Sequence, residues 1–238
     1  MRAAIFGASG GIGAALVQQL ADSPDCAAVY AGSRKVPAWD DPKITPFAFD
    51  LTDEASIAGA AELIGGNGPL GLVIIATGLL HREGEVGPEK SSRMIDPQTM
   101  AEVFAINTIG PALIAKHFLP LLLRDRRAVF AALSARVGSI SDNRLGGWHS
   151  YRASKAALNM LMRNFALELA VRNPDAIAVT LHPGTVDTGL SKPFQRQVRA
   201  GQLFTPAASA SHLLSVIASL APKDSGLAFA WDGAVIPF

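Results

Sequence analysis

Gly7-Ala8-Ser9-Gly10-Gly11-Ile12-Gly13 lies between a short apolar run, Ala3-Ala4-Ile5-Phe6, and an amphipathic stretch over 11–22. Strand, glycine turn and helix therefore follow one another at the start of the chain. Glycines let the backbone turn sharply and approach a phosphate, and a helix N-terminus offers free N–H donors with a partial positive charge. In this place the turn reads as a cradle for a dinucleotide formed by Gly7, Ser9, Gly10, Gly11, Ile12 and Gly13, against the plainer reading of a tight turn. The spacing is Gly-x-x-x-Gly-x-Gly, not the commoner Gly-x-Gly-x-x-Gly. The same residues spell Gly7-x-Ser9-x-Gly11, a nucleophile-elbow pattern. An elbow needs an oxyanion loop from an earlier strand, and no strand precedes this one.

The alternation continues outward. Apolar runs at 27–31, 44–49, 72–76, 128–133, 176–181 and 227–231 read as strands. Helical patterns cover 54–64, 97–123, 150–172 and 207–220. Runs without polar alternation imply strands buried on both faces. The β-α-β order then predicts a single-domain Rossmann-type doubly wound α/β fold over 1–238, a parallel sheet with helices on both faces. The polar segment 81–95 reads as a surface excursion. The basic segment 189–205, with Lys192, Arg196 and Arg199, reads as a substrate lid or a solvated loop.

Composition excludes several functions. Hydrophobic residues make up 49%, charged residues 17%, and formal net charge is +1. No basic run with interleaved aromatics suggests nucleic-acid binding, and the apolar stretches at 70–76 and 114–123 are too short or too charged to span a membrane. The N-terminal run enters the glycine turn at once, which leaves no room for a signal peptide. With Cys26 as the lone cysteine, a cytoplasmic protein is expected. His117, His182 and His212 show no metal spacing, and no metal is expected.

The second strand leads into Ser33-Arg34-Lys35, where an acid would favour NAD by binding ribose hydroxyls. A hydroxyl and a guanidinium favour NADP(H) over NAD(H), with Arg34 reading the 2′-phosphate; a solvated Arg-Lys pair is the bland alternative. Asp50 closes the third strand and either accepts from the adenine amino group or caps the next helix.

In Tyr151-Arg152-Ala153-Ser154-Lys155 a phenol and an ammonium share one helix face. The lysine is expected to lower the tyrosine pKa, so that the pair moves a proton to or from a carbonyl or alcohol oxygen.

Together these motifs resemble the short-chain dehydrogenase/reductase family over nearly the whole chain. The matching pieces are 7–13, Asp50, Ala76-Thr77-Gly78, Asn107, Tyr151-x-x-x-Lys155 and Pro183-Gly184-Thr185-Val186-Asp187-Thr188. Gly138-Ser139-Ile140, Gly146-Gly147-Trp148 and Trp231-Asp232-Gly233 resemble its C-factor and sniffer-type carbonyl reductases. The resemblance implies Tyr151 as general acid, Lys155 holding the nicotinamide ribose, and Asn107 kinking its helix to bind a water that links Lys155 to solvent. Leu51, Ala76, Thr77, Gly78, Pro183, Gly184, Val186 and Thr188 complete the cofactor contacts it implies. It also implies a homodimer or homotetramer across the long helices.

One departure stands out. The family's Ser-Ser-x-x-Gly becomes Ser134-Ala135-Arg136-Val137-Gly138, with alanine where the carbonyl-polarising serine belongs. Ser134 is the favoured replacement and Ser139 the other. The expected activity is NADP(H)-dependent reduction of a small carbonyl compound or oxidation of the alcohol. An apolar substrate suits the setting, although Arg136 and Arg144 would also receive an anion. The missing serine leaves open a cofactor-binding signalling or regulatory protein with vestigial catalysis.

Overall fold

The computed structural model describes residues 1–82, 84–198 and 201–238; Arg199 lies outside them. The first half runs β1 (Arg2–Phe6), α1 (Gly11–Asp22), β2 (Ala28–Ser33), β3 (Ile44–Ala48), α2 (Glu54–Gly65) and β4 (Leu72–Ile75). Then follow α3 (Pro97–Phe104), α4 (Gly110–Phe118), β5 (Ala128–Leu133), α5 (His149–Arg172) and β6 (Ala176–His182). The chain closes with β7 (Thr185–Val186), β8 (Leu203–Phe204), α6 (Pro206–Ser219), β9 (Ala228–Ala230) and β10 (Val235–Ile236).

The main sheet has the order β10-β9-β6-β5-β4-β1-β2-β3, and every pair is parallel except β9 with β10. This is the doubly wound architecture expected from the alternation. Strand order reverses between β1 and β4, and such a switch point opens a crevice at the carboxyl ends of the strands.

Successive residues of each strand face opposite layers, so the core has two halves. Phe6 joins Ile114, Phe118, Phe130, Leu158 and Met162 under α2, α4 and α5. Its neighbour Ile5 joins Leu16, Val17, Ile74, Val129, Ile177 and Leu213 under α1 and α6. Phe6 is fully buried and meets Phe49 and Phe118 edge-on, at 4.9 and 4.8 Å between centroids.

The expected continuous helix over 97–123 is corrected. Ala105–Ile109 forms a π-helical turn between α3 and α4, and Leu119–Leu121 ends as a 3₁₀ turn. Pro111 has no N–H, so Asn107 has no i+4 donor for its carbonyl, which loosens α geometry at that point. Gly110 permits the resulting close approach, since a Cβ there would lie 2.7 Å from the Leu51 side chain.

The excursion over 81–95 is more than surface. Leu79 and Val86 pack with Val103, and Glu89 is only 3% exposed. No helix among the described residues is long and apolar enough to cross a membrane.

Candidate active site

A cavity of about 470 Å³ opens at the carboxyl edge of the sheet. Its floor is the glycine turn. Gly7 has φ 96°, and a Cβ on it would lie 3.0 Å from the Ala76 carbonyl carbon. A Cβ on Gly13 would come within 2.1 Å of the Gly7 oxygen. No side chain fits at that spacing, which lets helix, turn and β4 close tightly. The N-cap of α1 is Gly10, with no side-chain cap, so first-turn N–H groups remain for an anion. Thr77 Oγ1 is buried without a partner and Thr77 lines the same wall. The uncapped N–H donors suit a phosphate-bearing ligand, and the orphaned Thr77 hydroxyl is a further polar group in the wall of the same cavity.

At the exit of β2, Ser33 Oγ donates to the Lys35 carbonyl at 2.8 Å and fixes the turn that carries Arg34 to the cavity rim. Arg34 makes no ion pair among the described residues. Asp50 Oδ1 accepts from Thr52 N at 2.8 Å and Thr52 Oγ1 at 2.7 Å. These bonds, backbone first, hold its carboxyl below the usual range, and the Arg34 charge adds to them. Of the two roles open to Asp50, capping falls to Asp53, which accepts from Ala55 N at 3.0 Å.

Tyr151 and Lys155 rise from the first turns of α5 onto the cavity wall, 9% and 3% exposed. The Lys155 ammonium donates to the Leu133 carbonyl at 2.9 Å and stands 5.8 Å from the centre of the Tyr151 ring. The expected lowering of the phenol by the lysine is corrected. Burial pushes Tyr151 up to about 12 and Lys155 down to about 8. Desolvation penalises the charged form of each and accounts for both shifts.

Asn107 lies behind the wall, fully buried. Its Nδ2 donates to the Leu79 carbonyl at 2.8 Å and to Ser154 Oγ at 3.1 Å, and its Oδ1 accepts from Leu79 N at 2.8 Å. Thr108 Oγ1 also donates to the Ser154 carbonyl, at 2.9 Å. The π turn is thereby tied to both the exit of β4 and the helix that carries Tyr151.

Ser134 lines the cavity, but its hydroxyl donates to Asn159 Oδ1 at 2.9 Å. Ser139 is buried off the wall, its Oγ accepting from Asp142 N at 3.1 Å. Leu51, Ala76, Gly78, Pro183 and Thr188 also line the cavity. Gly184 and Val186 stand back from it. Gly184, at φ 77°, backs onto Phe204, whose ring would lie 2.6 Å from a Cβ, and Val186 is buried in the β7–β8 pair. Arg136 pairs with Asp142 at 3.1 Å, which engages one of the two guanidinium groups suggested for an anion.

Spacing gave no signal for several residues around the mouth. Gly189 and Leu190 close one wall. His81 Nε2 donates to the Gly189 carbonyl at 2.9 Å. Phe194 packs 5.6 Å from His81 and 5.0 Å from Trp148, whose ring lies 6.3 Å from that of Tyr151. The front of the basic segment is thus docked at the cavity mouth through Gly189 and Phe194, while Lys192 and Arg196 stay exposed to solvent.

Comparison with known proteins agrees with this geometry. A short chain dehydrogenase family profile matches residues 2–199. C-signal of Myxococcus xanthus is 35% identical over 145 residues, covering 60% of this chain and 81% of its own. The NADPH-bound carbonyl reductase from chicken fatty liver superposes with a TM-score of 0.85 at 29% identity, covering 100% of this chain and 98% of that one. The carbonyl reductase Sniffer of D. melanogaster gives 0.84 at 22% identity, covering 100% and 99%, a likeness of fold.

Proposed function

This chain belongs to the short chain dehydrogenase family, and on that premise we propose that residues 1–238 form one NADP(H)-dependent oxidoreductase unit acting on a small carbonyl or alcohol compound. The carrying observation is that the glycine turn, Arg34, Tyr151 and Lys155 share the wall of a single cavity. The NADPH-bound state of the chicken carbonyl reductase supports the choice of cofactor. The nicotinamide, when bound, supplies the hydride.

Everything else falls to the chain's own groups. The glycine turn and α1 hold the pyrophosphate, with Ser9 and Ile12 beside it. Ser33 and Arg34 take the ribose 2′-phosphate, and Asp50 with Leu51 borders the adenine. Ala76, Thr77 and Gly78 line the adenosine half, with the Thr77 hydroxyl as a donor. Pro183 and Thr188 face the nicotinamide half, supported from behind by Gly184 and Val186. Lys155 orients the nicotinamide ribose. Tyr151 keeps its proton on Oη at neutral pH, because burial raises its pKa, and gives that proton to the carbonyl oxygen as it gains charge. Ser134 supplies the second donor to that oxygen once its hydroxyl leaves Asn159. Asn107 fixes the helix behind the pair.

Exposed apolar residues on α5 suit a homodimer or homotetramer. Met160, Leu167 and Val171 are 63%, 55% and 87% exposed on one helix. The expected setting is cytoplasmic.

One observation favours a second reading, a cofactor-binding signalling protein with vestigial catalysis. Alanine stands at 135, and the Ser134 hydroxyl is turned to Asn159. Titration with NADPH and NADH, then NADPH oxidation against aldehydes and ketones, separates the two. Turnover lost in Tyr151→Phe with NADPH binding intact establishes the reductase. Binding without turnover on a broad panel favours the second reading, and failure to bind either nucleotide removes both.

A further inference from the structure

Glu89 is a buried acid that the chemistry above does not use. It lies in the loop between β4 and α3, and no lysine, arginine or histidine pairs with it among the described residues. Its two carboxylate oxygens accept from Ser150 N at 3.3 and 3.2 Å, and Oε1 also accepts from Ser150 Oγ. Its backbone carbonyl accepts from Trp148 N at 2.6 Å. Burying a carboxylate is costly unless something replaces water around it. Here the replacement is the positive N-terminal end of the 24-residue helix α5 and the serine hydroxyl.

α5 has no local cap. Its N-cap position is Trp148, whose side chain cannot accept from the helix, and Trp148 is the one non-glycine residue at positive φ among the described residues, at 52°. That left-handed conformation is unfavourable for a residue with a Cβ. Gly147, at φ 64°, lets the chain pass close to Glu89, whose carbonyl oxygen would lie 3.3 Å from a Cβ there. Glu89 reaches across 61 positions to do what a serine or aspartate at 148 would do locally, and position 148 is left to an indole that packs between Tyr151 and Phe194.

We propose that Glu89 is a positioning residue for the catalytic end of α5, holding Ser150 and Trp148 and through them the Tyr151 phenol and the indole beside it. The role rests on the reading of Tyr151 as the acid. It ties the tyrosine to the loop leaving β4, whose first residues form the cavity wall. A helix cap of purely structural value predicts something different, a loss of stability shared by the whole molecule.

The chain has two tyrosines, Tyr30 and Tyr151, which permits a direct test. Protein carrying ¹³C-labelled tyrosine is compared as wild type, Glu89→Gln, Ser150→Ala and the double variant, with Tyr151→Phe assigning the signals. In either single variant the Tyr151 resonance shifts and its phenol ionises at lower pH than in wild type, while Tyr30 is unmoved. With a carbonyl substrate, kcat falls about ten- to hundredfold, the size of effect small misplacements produce, and NADPH Kd stays within about twofold. The double variant loses no more than the worse single one, as for two residues acting as a unit. An unchanged Tyr151 signal in both variants overturns the role, as does a shift of Tyr30, NADPH Kd and thermal midpoint in step with it. If wild type reduces no carbonyl compound, the reductase reading fails, and the Tyr151 signal still decides the role of Glu89.

Discussion

Lys155 and Tyr151 share a helix face without sharing a hydrogen bond: the ammonium donates to the Leu133 carbonyl at 2.9 Å and stands 5.8 Å from the centre of the phenol ring. Each side chain is buried, and burial moves Lys155 down to about 8 and Tyr151 up to about 12. Burial thus shifts each group toward its neutral form, with consequences for stability as well as chemistry. The phenol keeps its proton at neutral pH, while Lys155 remains mainly an ammonium there but gives up its proton more readily than a free lysine.

The Lys155 contribution has a definite sign. Its folded pKa lies below the unfolded value of about 10.4, so the unfolded chain holds the extra proton between them. Stability from this group is fully present above about 10.4 and is lost as pH falls through about 8. Tyr151 acts oppositely, lowering stability from about pH 10 upward. Urea unfolding of wild type between pH 8 and 9.5 should then gain on the order of 2 kcal/mol relative to Lys155→Met. Equal slopes in the two proteins would show that the ammonium is not buried as described.

Ser134 and Ala135 can be exchanged to locate the second donor. If Ser134 reaches the carbonyl oxygen, Ser134→Ala lowers kcat by about 10²–10³, the usual cost of one such donor. Adding Ala135→Ser to that variant restores most of the rate by returning a hydroxyl to the family position. A Ser134→Ala enzyme within a few-fold of wild type would remove Ser134 from the chemistry and leave its hydroxyl a structural partner of Asn159.

Arg34 should discriminate between the two nucleotides. Charge-assisted bonds to a phosphate contribute about 1.5–3 kcal/mol, so Arg34→Ala weakens NADPH by about ten- to hundredfold in a fluorescence titration. NADH, lacking the 2′-phosphate, should change little. The wild-type preference should also shrink as salt rises, since the guanidinium is exposed. An equal loss for both nucleotides would place Arg34 elsewhere than at the phosphate.

The elements whose signals are local were legible in the chain. The glycine turn, the buried runs of β4 and β5 and the Tyr151–Lys155 spacing all depend on neighbours a few residues apart. The π turn at Ala105–Ile109 was not, because one extra residue in a helical turn hardly disturbs the apolar spacing of so long a stretch. Gly110 and Pro111 carried the cue, and the resemblance rather than the periodicity placed a kink at Asn107. Glu89 was invisible for a different reason, since its partners lie 59 to 61 positions away and nothing near it marks a buried acid. The direction of the Tyr151 shift was missed because adjacency in sequence suggests a charge effect, whereas desolvation depends on the whole fold.

His182 should govern part of the response to acid. It ends β6 immediately before Pro183, and its Nδ1 is buried without a partner. Burial pushes its pKa down to about 4, with Arg136 adding to the shift and Asp232 opposing it. The unfolded chain, near 6.5, takes up the proton first as pH drops. Stability from keeping this ring neutral is thus present above about 6.5 and is lost on the way down to about 4. In urea unfolding, wild type should lose on the order of 2 kcal/mol more than His182→Phe between pH 7 and 4.5. Parallel losses in the two proteins would mean that the imidazole takes up a proton as readily in the folded chain as in the unfolded one.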